Sequence, residues 1–357
     1  MKKIVIFIPS FHIGGVERVM VSVANYLFAG GYPVTLLVAK EEGELQTFVN
    51  KNIEVVCLGN VKLRNSLRPL ICYLKSANPD FILCGPDFVN LITIVAHIFL
   101  QSKTKVIISQ HCYFDIETKR LGLHGKLIPW GMKIFYPRAY RIVAVSDGIK
   151  EMLLKYGLPN NKIVRIYNPV DIQSVVCFAS EKTEIELPSN YIVYVGRLSY
   201  VKNIPLLLRA FALFRKQKSV SLVIIGEGTE KERLLLISRE LGIERDVIFC
   251  GGLGNPFPIL AKARLAVLPS FSESFGSVIV EAMALGVTSV ATPTLGVREI
   301  SEDGKFVYLS GDNPDEISFA RLLEYAYEHP MDASLLYKRS LEFDPGKVIG
   351  LYRDLLN

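Results

Sequence analysis

The sequence predicts an α/β protein with two doubly wound parallel sheets. Short apolar runs alternate with helical segments along the chain, which is typical of parallel strands connected by helices. The alternation lapses over residues 173–190, which resemble a polar linker, and then resumes. The 357 residues also suit two domains better than one, because single cores stop growing at roughly 250–300 residues. We therefore expect Rossmann-like domains over 1–170 and 171–340, and a C-terminal helix over 341–357 for which a return to the first domain is one option.

The first domain begins with a strand, a glycine turn and a helix. Residues 3–8 are predicted to form the strand, Gly14 and Gly15 end the turn, and apolar residues at helical spacing run from Val16 to Leu27. Such a turn is either an amide-lined anion site or a tight packing turn. Further strands are predicted over residues 34–38, 53–57, 81–84, 106–109, 142–145, 164–167, 191–195, 221–225, 247–250, 265–268, 289–291 and 306–309.

Positive charge is concentrated in the first half of the chain. Residues 1–171 hold 21 Lys and Arg against 12 Asp and Glu, whereas the remainder holds 20 against 23. This asymmetry predicts an anionic partner, either a membrane surface or a polyanion. Residues 119–141 interleave basic and aromatic residues, which suits either an interfacial membrane segment or an ordinary helix that buries its aromatics. The apolar run 88–100 is too short to cross a bilayer, so we expect a soluble or peripheral protein.

The stretch 265–292 has the strongest site pattern. It is predicted to form a buried strand, a loop with Glu273, a turn at Gly276, a helix with Glu281 and a second strand. Free amides at the helix start favour an anion, commonly phosphate, and the two carboxylates can accept from hydroxyls. The pattern predicts a phosphorylated, hydroxyl-rich ligand such as a nucleotide sugar; the alternative is a plain loop and a solvated helix face. The amides belong to Ser277, Val278 and Ile279.

A second pattern lies at the end of the predicted strand 191–195. Gly196 and Arg197 follow the strand, and Lys202 opens the next helical region after a short loop. Two cations at the carboxyl end of a strand, with a glycine for close approach, fit a diphosphate clamp. The alternative is a pair of solvated surface charges, which this position makes less favourable.

Several stretches form one set that spans nearly the whole chain: FHIGGVERV, VSDGIKEML, IYNPVD, VGRLSYVKNIPLLLRAF, VIIGEGTEKERL, PSFSESFGSVIVEAMALG and GVREI. In this order and spacing the chain resembles the retaining glycosyltransferases of family 4, whose GT-B architecture has two Rossmann-like domains facing across a cleft. The Glu-x7-Glu element, combined with Gly-Arg-Leu and a lysine, is the specific part. Pro169, Leu285 and Thr288 stand where glycine, cysteine and proline are frequent, which weakens assignment to a substrate subgroup.

The resemblance implies roles for individual residues. Arg197 and Lys202 would hold the donor diphosphate, Glu273 would bind the donor sugar hydroxyls, and Glu281 would bind the ribose. We therefore predict a catalytic set and a donor-binding set. The catalytic set is Arg197, Lys202, Glu273 and His111, and the donor-binding set is Gly14, Gly15, Gly196, Gly226, Gly276, Ser277, Val278 and Glu281.

Three of these assignments come from weaker patterns. Gly15 would let the first domain's loop approach the phosphate. His111 matches a family histidine beside the donor sugar, and its place at a strand end favours that role over a hydrogen-bonded core residue. Gly226, in a lone Gly-x-Gly, is as consistent with a structural turn as with a nucleotide contact.

The resemblance also implies the reaction. The chain has no Asp-x-Asp triplet, so we expect a metal-independent enzyme without a cofactor. It would transfer a hexosyl or N-acetylhexosaminyl group with retention of the anomeric configuration. The expected donor is a nucleotide diphosphate sugar, with UDP as the expected nucleotide because UDP-sugars are frequent donors in the family. The expected acceptor is a lipid-linked glycan, a lipopolysaccharide or a polysaccharide. The expected location is cytoplasmic, at the inner face of the membrane, with no nucleic-acid partner. Alternatives are a nucleotide-sugar epimerase of the same architecture and a non-catalytic partner in glycan assembly.

Overall fold

The computed structural model describes residues 2–12, 14–113, 122–216 and 218–357, and of residues 122–128 it describes the backbone alone. The chain divides into two compact units: unit 1 is Met1–Pro169 with Pro345–Asn357, and unit 2 is Val170–Asp344. Each unit has one sheet whose described strand pairings are all parallel, and helices connect the strands. The predicted class, two Rossmann-like α/β domains, is confirmed.

Among the residues described, the sheet of unit 1 has seven strands in the order β3-β2-β1-β4-β5-β6-β7. The strands are β1 (Ile4–Ile8), β2 (Val34–Val38), β3 (Glu54–Cys57), β4 (Phe81–Cys84), β5 (Lys105–Gln110), β6 (Arg141–Ala144) and β7 (Ile163–Arg165). The α-helices that the structure describes up to residue 169 are α1 (Gly15–Ala29), α2 (Leu67–Ala77), α3 (Asp87–Leu100), α4 (Gly122–Phe135) and α5 (Asp147–Lys155).

In the described part of unit 2, the sheet has six strands in the order β10-β9-β8-β11-β12-β13. The strands are β8 (Tyr191–Val195), β9 (Ser221–Ile225), β10 (Val247–Gly251), β11 (Leu265–Leu268), β12 (Ser289–Ala291) and β13 (Tyr308–Leu309). The helices are α6 (Ile172–Ala179), α7 (Ile204–Phe214), α8 (Lys231–Glu240), α9 (Phe257–Leu260), α10 (Ser277–Ala284), α11 (Leu295–Ser301), α12 (Glu316–Glu328) and α13 (Ala333–Ser340).

Both sheets reverse their strand order beside the first strand, between β1 and β4 in unit 1 and between β8 and β11 in unit 2. The strands at these positions are continuous apolar runs because helices cover both faces of the sheet; every residue of β1, β4 and β11 is buried. At such a reversal the carboxyl ends of the strands leave a crevice for ligands. Arg197 follows β8 and Glu273 follows β11, so both lie at the reversal in unit 2.

Residues 173–190, which the sequence predicts as a linker, begin within helix α6. Its N-cap Asp171 accepts a hydrogen bond from the amide of Ser174 at 2.9 Å, and Ile172 and Val175 are buried. The helix packs against α9 and α10 in unit 2. The linker prediction was wrong for residues 173–179, because an eight-residue helix is too short for a clear periodic signal, whereas residues 180–190 form neither helix nor strand.

The C-terminal helix α14 (Pro345–Leu355) packs against α1 in unit 1. Its buried face contributes Val348, Ile349 and Tyr352 to the core cluster that also contains β1. The chain therefore leaves unit 1 after residue 169 and returns to it at residue 345.

The basic and aromatic segment 119–141 is described only in part. Lys119 and Arg120 lie outside the described residues, as do the side chains of residues 122–128. Tyr136 is fully buried, as an ordinary packed helix would require, whereas Trp130 is 63% exposed. Among the residues described, no helix has both the length and the apolar character needed to cross a bilayer.

Candidate functional site

The first part of the candidate site follows strand β8, where the chain turns sharply. Gly196 has φ 154° and donates its amide to the Ile225 carbonyl at 2.9 Å, which holds the turn against β9. The Arg197 side chain is exposed and forms no ion pair within the part of the chain that the structure describes. Lys202 ends a short 3-10 turn, and its side chain is only 17% exposed. The two predicted cations therefore have different environments.

Lys202 pairs with Glu273, which lies 71 positions further along the chain. Lys202 Nζ contacts Glu273 Oε1, and Ser270 donates its hydroxyl to the same oxygen at 2.7 Å. The Glu273 side chain is 11% exposed, and screening by water is weaker there than at the surface. Both contacts use Oε1, and no described residue donates to Oε2. Oε2 can therefore accept a hydrogen bond from a ligand hydroxyl. An ammonium has three donors, so Lys202 also keeps donors for an anion.

Main-chain hydrogen bonds join the two loops that carry this ion pair. Phe271 donates its amide to the Val201 carbonyl at 2.8 Å, one residue before Lys202 and two before Glu273. On the other side, the Gly296 amide donates to the Glu273 carbonyl at 3.1 Å. The charges are therefore held in place before any ligand binds, as electrostatic stabilisation of a transition state requires.

Tyr194 and Ser270 support the site, and the sequence did not predict either residue. The Tyr194 hydroxyl donates to the Arg197 carbonyl at 3.0 Å. Burial, and to a smaller extent the charge of Glu273, raises the pKa of Tyr194 well above its usual value, so the phenol remains a neutral donor. Tyrosine is common in buried strands and serine in loops, so neither residue gives a signal by itself.

The second part of the site is the start of helix α10. Its N-cap, Gly276, has φ 95° and ψ 52°, a left-handed conformation that glycine adopts without strain. The helix has no acidic residue in its first turn, and the amides of Ser277 and Val278 have no helical acceptor because the helix begins there. The prediction is wrong for Ile279, whose amide donates to the Gly276 carbonyl at 2.9 Å. Glu281 is half-buried in the second turn.

Gly226 has a steric reason to be glycine. It has φ 147°, and a Cβ at this position would come 1.9 Å from the carbonyl oxygen of Gly196. Its amide donates to the Gly251 carbonyl at 2.7 Å. The packing of these turns is a sufficient reason for the glycine, and a donor contact at Gly226 stays a prediction.

In unit 1, Gly14 and Gly15 begin helix α1 after β1. A Cβ on Gly14 would come 2.0 Å from the carboxylate of Glu17, whereas a Cβ on Gly15 would meet nothing within 4 Å. Gly15 is exposed, and its φ lies outside the left-handed region. Neither packing nor backbone conformation requires glycine at position 15, and a ligand contact there stays a prediction.

His111 follows β5 at the carboxyl edge of the unit 1 sheet. It is 8% exposed, and its Nε2 lies 2.8 Å from the Ser109 hydroxyl. Burial lowers the pKa of His111 to about 3, so the imidazole is neutral at pH 7. A neutral imidazole can donate one hydrogen bond and accept one.

A buried polar network holds the chain before His111. Asn90 of α3 donates to the Ser109 carbonyl at 2.9 Å, and the Tyr136 hydroxyl donates to Gln110 Oε1 at 3.0 Å. Asn90, Gln110 and Tyr136 are all fully buried. The sequence gives little indication of this network, because its hydrogen bonds join residues 19 to 46 positions apart and each residue is ordinary in its own segment.

Stability should depend on pH through His111. Between pH 6.5 and about 3, the unfolded chain binds a proton at this residue and the folded chain does not. The free energy of unfolding therefore rises with pH across this window, by up to about 1.4 kcal/mol per pH unit. We expect His111→Asn to flatten the slope of urea-unfolding free energy between about pH 4.5 and 6.5.

The control for this experiment is His12→Asn, which makes the same exchange at a side chain that is 69% exposed. The window also excludes Asp315 and Asp332, because hydrogen bonds from Ser318 and Ser334 lower their pKa values from the usual 3.8. Equal slopes in wild type and His111→Asn would contradict the assignment of a buried, neutral histidine.

The chain has two α/β units with parallel sheets, and unit 2 has a cation–carboxylate pair beside a helix start. These features define a class of two-domain α/β proteins with a polar site at the carboxyl edge of a sheet. The sequence model of the family described as "Glycosyl transferases group 1" matches residues 178–340, and that of "Glycosyltransferase Family 4" matches residues 13–174. The chain belongs to the family 4 glycosyltransferases of GT-B fold.

Relatives and solved structures agree with this family. The N-acetylgalactosamine-N,N'-diacetylbacillosaminyl-diphospho-undecaprenol 4-alpha-N-acetylgalactosaminyltransferase of Campylobacter jejuni is 26% identical over 86% of this chain and 85% of its own length. The lipopolysaccharide 1,6-galactosyltransferase of Salmonella typhimurium is 27% identical over 65% and 61%. Anabaena HepE, solved with UDP-glucose, has a TM-score of 0.82 at 19% identity, covering 100% of this chain and 99% of that chain. At this identity the structural likeness shows the fold alone.

Proposed function

We propose that the chain is a retaining glycosyltransferase that moves a hexosyl or N-acetylhexosaminyl group from a UDP-sugar to a lipid-linked or lipopolysaccharide acceptor. The observation that carries the proposal is the nearly buried Lys202–Glu273 pair, whose loops also hold Arg197 and lead into the start of α10. The named reactions of the Campylobacter and Salmonella relatives support the acceptor class. The HepE complex with UDP-glucose supports the uridine donor.

The proposed donor site is in unit 2. Arg197 and Lys202 bind the diphosphate, and the amides of Ser277 and Val278 add positive field where negative charge grows as the glycosidic bond breaks. Glu273 Oε2 accepts from a donor sugar hydroxyl, and Glu281 accepts from the ribose. Because protein groups supply the positive charge, the proposed reaction uses no divalent metal.

The proposed step needs no enzyme nucleophile. The acceptor oxygen bonds to the anomeric carbon on the face from which the nucleoside diphosphate leaves, and the bond from that carbon to the phosphate oxygen breaks. The acceptor's proton passes to the departing phosphate, and the anomeric configuration is retained. The neutral imidazole of His111 is assigned to hydrogen-bond a sugar hydroxyl, since a pKa of about 3 makes it a poor acid–base group near pH 7.

We assign the acceptor side to unit 1, and the inner face of the cytoplasmic membrane as the working location. The support is the charge of residues 1–171, with 21 basic residues against 12 acidic ones. An anionic membrane attracts such a segment, and a membrane-held acceptor would be found there.

The test is nucleotide release by purified protein in the presence of EDTA. A panel of UDP-, GDP- and ADP-sugars is supplied, each with and without bacterial glycolipid extract. We expect nucleotide release from one UDP-sugar, and this release should depend on the extract. An α-configured donor should give an α-linked product, and NMR determines the configuration. Lys202→Ala serves as the inactive control.

Four results would contradict parts of the proposal. Altered sugar without extract would indicate an epimerase, and donor binding without release from any combination would favour a non-catalytic partner. Release that EDTA abolishes and Mg²⁺ restores would remove metal independence. A product of inverted configuration would remove the retaining mechanism.

Gly15→Ala is expected to raise the donor KM about tenfold while leaving the fold intact. A methyl group at this position meets no protein atom within 4 Å, so the variant should be as stable as wild type or slightly more stable. The same methyl group would occupy space over the start of α1. Gly350→Ala is the matched control, since its Cβ also meets nothing within 4 Å. An unchanged donor KM would show that ligands do not approach Gly15.

A further inference from the structure

Three large hydrophobic side chains in unit 1 are unusually exposed. Phe99 is 71% exposed, Trp130 63% and Phe88 62%, and they exceed every other large hydrophobic residue that the structure describes. All three lie on helices α3 and α4, which pack against each other where Gly131 faces Leu91. On the surfaces of soluble proteins, exposed hydrophobic residues usually occur singly. Their concentration on two adjacent helices therefore indicates an interaction surface.

The outer face of helix α3 is apolar along its length. Phe88, Ile92, Val95 and Phe99 follow the three- and four-residue spacing of one helix face, and each is exposed or half-buried. Between Phe88 and Leu100 the helix has no Asp, Glu, Lys or Arg. A solvent-facing helix normally has a polar outer face, so this stripe fits an apolar medium better than water.

Basic residues border the stripe. Lys62, Leu63, Arg64, Phe88 and Ile92 line one open groove of about 380 Å³. Residues 58–79 include four Lys or Arg and no Asp or Glu, and α2, in this segment, packs against α3. In the part of the chain that the structure describes, Lys62, Arg64 and Arg68 form no ion pair. Their charges are therefore available to an external anion.

We propose that this surface, the α3 stripe with Trp130 and the basic groove, inserts into an anionic lipid bilayer. The rings and aliphatic side chains enter the acyl boundary, and Lys62 and Arg64 meet phosphate headgroups. Charge complementarity selects the bilayer over a second copy of the chain, because two copies would bring the unpaired cations together. The inference goes beyond the proposed function, whose membrane location rests on the net charge of residues 1–171, by assigning the membrane contact to the outer face of α3 together with Trp130.

The α3 stripe also has a defined relation to the carboxyl edge of the sheet. Helix α3 begins three residues after β4 ends, so Phe88 lies at the same edge as His111, which follows β5. Only this point rests on the proposed function: a bilayer seated on α3 would present a membrane-held acceptor near that edge.

The test is sedimentation of the full chain with vesicles, without donor or acceptor. Vesicles of phosphatidylcholine alone are compared with vesicles containing phosphatidylglycerol, in low and high salt. We expect wild type to bind the anionic vesicles at least tenfold more tightly, with weaker binding at 1 M NaCl. Phe88→Ser/Phe99→Ser should lower binding to anionic vesicles at least tenfold. Lys62→Gln/Arg64→Gln should lower the preference for anionic vesicles, by about fivefold for each charge removed.

The matched control is Leu236→Ser/Leu335→Ser in unit 2, because both leucines are 55% exposed and lie on other helices. It should bind vesicles as wild type does, and circular dichroism should show all variants folded. Wild type that fails to bind, or a Phe88/Phe99 variant that binds as wild type, would overturn the proposal. A dimer that the same variant dissociates would overturn it in favour of self-association.

This experiment and the nucleotide-release assay can fail independently. Protein that binds anionic vesicles through the α3 stripe but releases no nucleotide would overturn the proposed function and leave the lipid surface standing. Protein that releases nucleotide with glycolipid but does not bind vesicles would do the reverse.

Discussion

Replacing Lys202 with alanine is expected to lower kcat for sugar transfer by roughly 10²-fold or more, the usual effect of losing one preorganised group that meets developing charge. The variant should also be less stable by about 3 kcal/mol, because it leaves the nearly buried Glu273 carboxylate without its cation. Arg197→Ala should lower kcat similarly without changing the melting temperature, since its side chain is exposed. Nucleotide release at saturating donor and thermal melting measure both effects.

Lys305→Ala is the control for this pair of variants. Lys305 also pairs with a carboxylate, Glu302 at 3.1 Å, but its side chain is 67% exposed, so neither turnover nor melting should change. Lys202→Arg keeps a positive charge beside Glu273 and should therefore keep the fold. Comparing it with Lys202→Ala separates lost catalysis from lost stability. Near wild-type turnover in both Lys202→Ala and Arg197→Ala would contradict the assignment of these two residues to the diphosphate.

Glu273→Gln is expected to lower kcat by about 10- to 100-fold with little change in donor KM. The amide oxygen can still accept from Lys202 and Ser270, so the fold is kept while the charge is lost. A hydrogen bond to a charged group contributes about 1.5–3 kcal/mol, and the proposed bond to the donor sugar strengthens in the transition state. Steady-state kinetics with the donor identified by the panel gives both constants.

Glu281→Gln provides a contrast with Glu273→Gln. A ribose contact binds ground state and transition state equally, so its loss should raise donor KM about tenfold and leave kcat unchanged. Glu232→Gln, at an exposed position in the first turn of α8, should change neither constant. The sugar assignment fails if Glu273→Gln alters only KM, and the ribose assignment fails if Glu281→Gln alters only kcat.

The strands were predictable because a doubly wound sheet buries both faces of its central strands. Each strand is then a continuous apolar run bounded by polar or turn residues, and this signal is local. Six predicted strands have the observed bounds, among them β8 and β11 beside the candidate site. The ends of the other strands differ by one or two residues, because pairing with a neighbour decides where a strand stops.

The loops after β8 and β11 were predictable as site segments for a similar reason. Gly196 and Gly276 both adopt positive φ, which favours glycine. The glycine at each position is therefore a local signal that can be read from the sequence. The prediction of a free amide at Ile279 was wrong, since a 3-10 hydrogen bond in the first turn of α10 joins this amide to the Gly276 carbonyl. Local sequence places a helix start within a residue or two, but it does not show which amides are already bonded.

The sequence by itself determined the α/β class, the two-domain organisation and the loops that carry Arg197, Lys202 and Glu273, since each depends on short-range hydrophobic pattern and turn chemistry. Only the tertiary structure decided that Lys202 and Ser270 donate to the same oxygen of Glu273, that Asn90 and Tyr136 hold the chain before His111, and that α3 has an apolar outer face. These features join segments far apart in the chain, and an apolar helix has the same sequence pattern whether its outer face is packed or exposed. Which partner each face receives depends on packing of the whole unit.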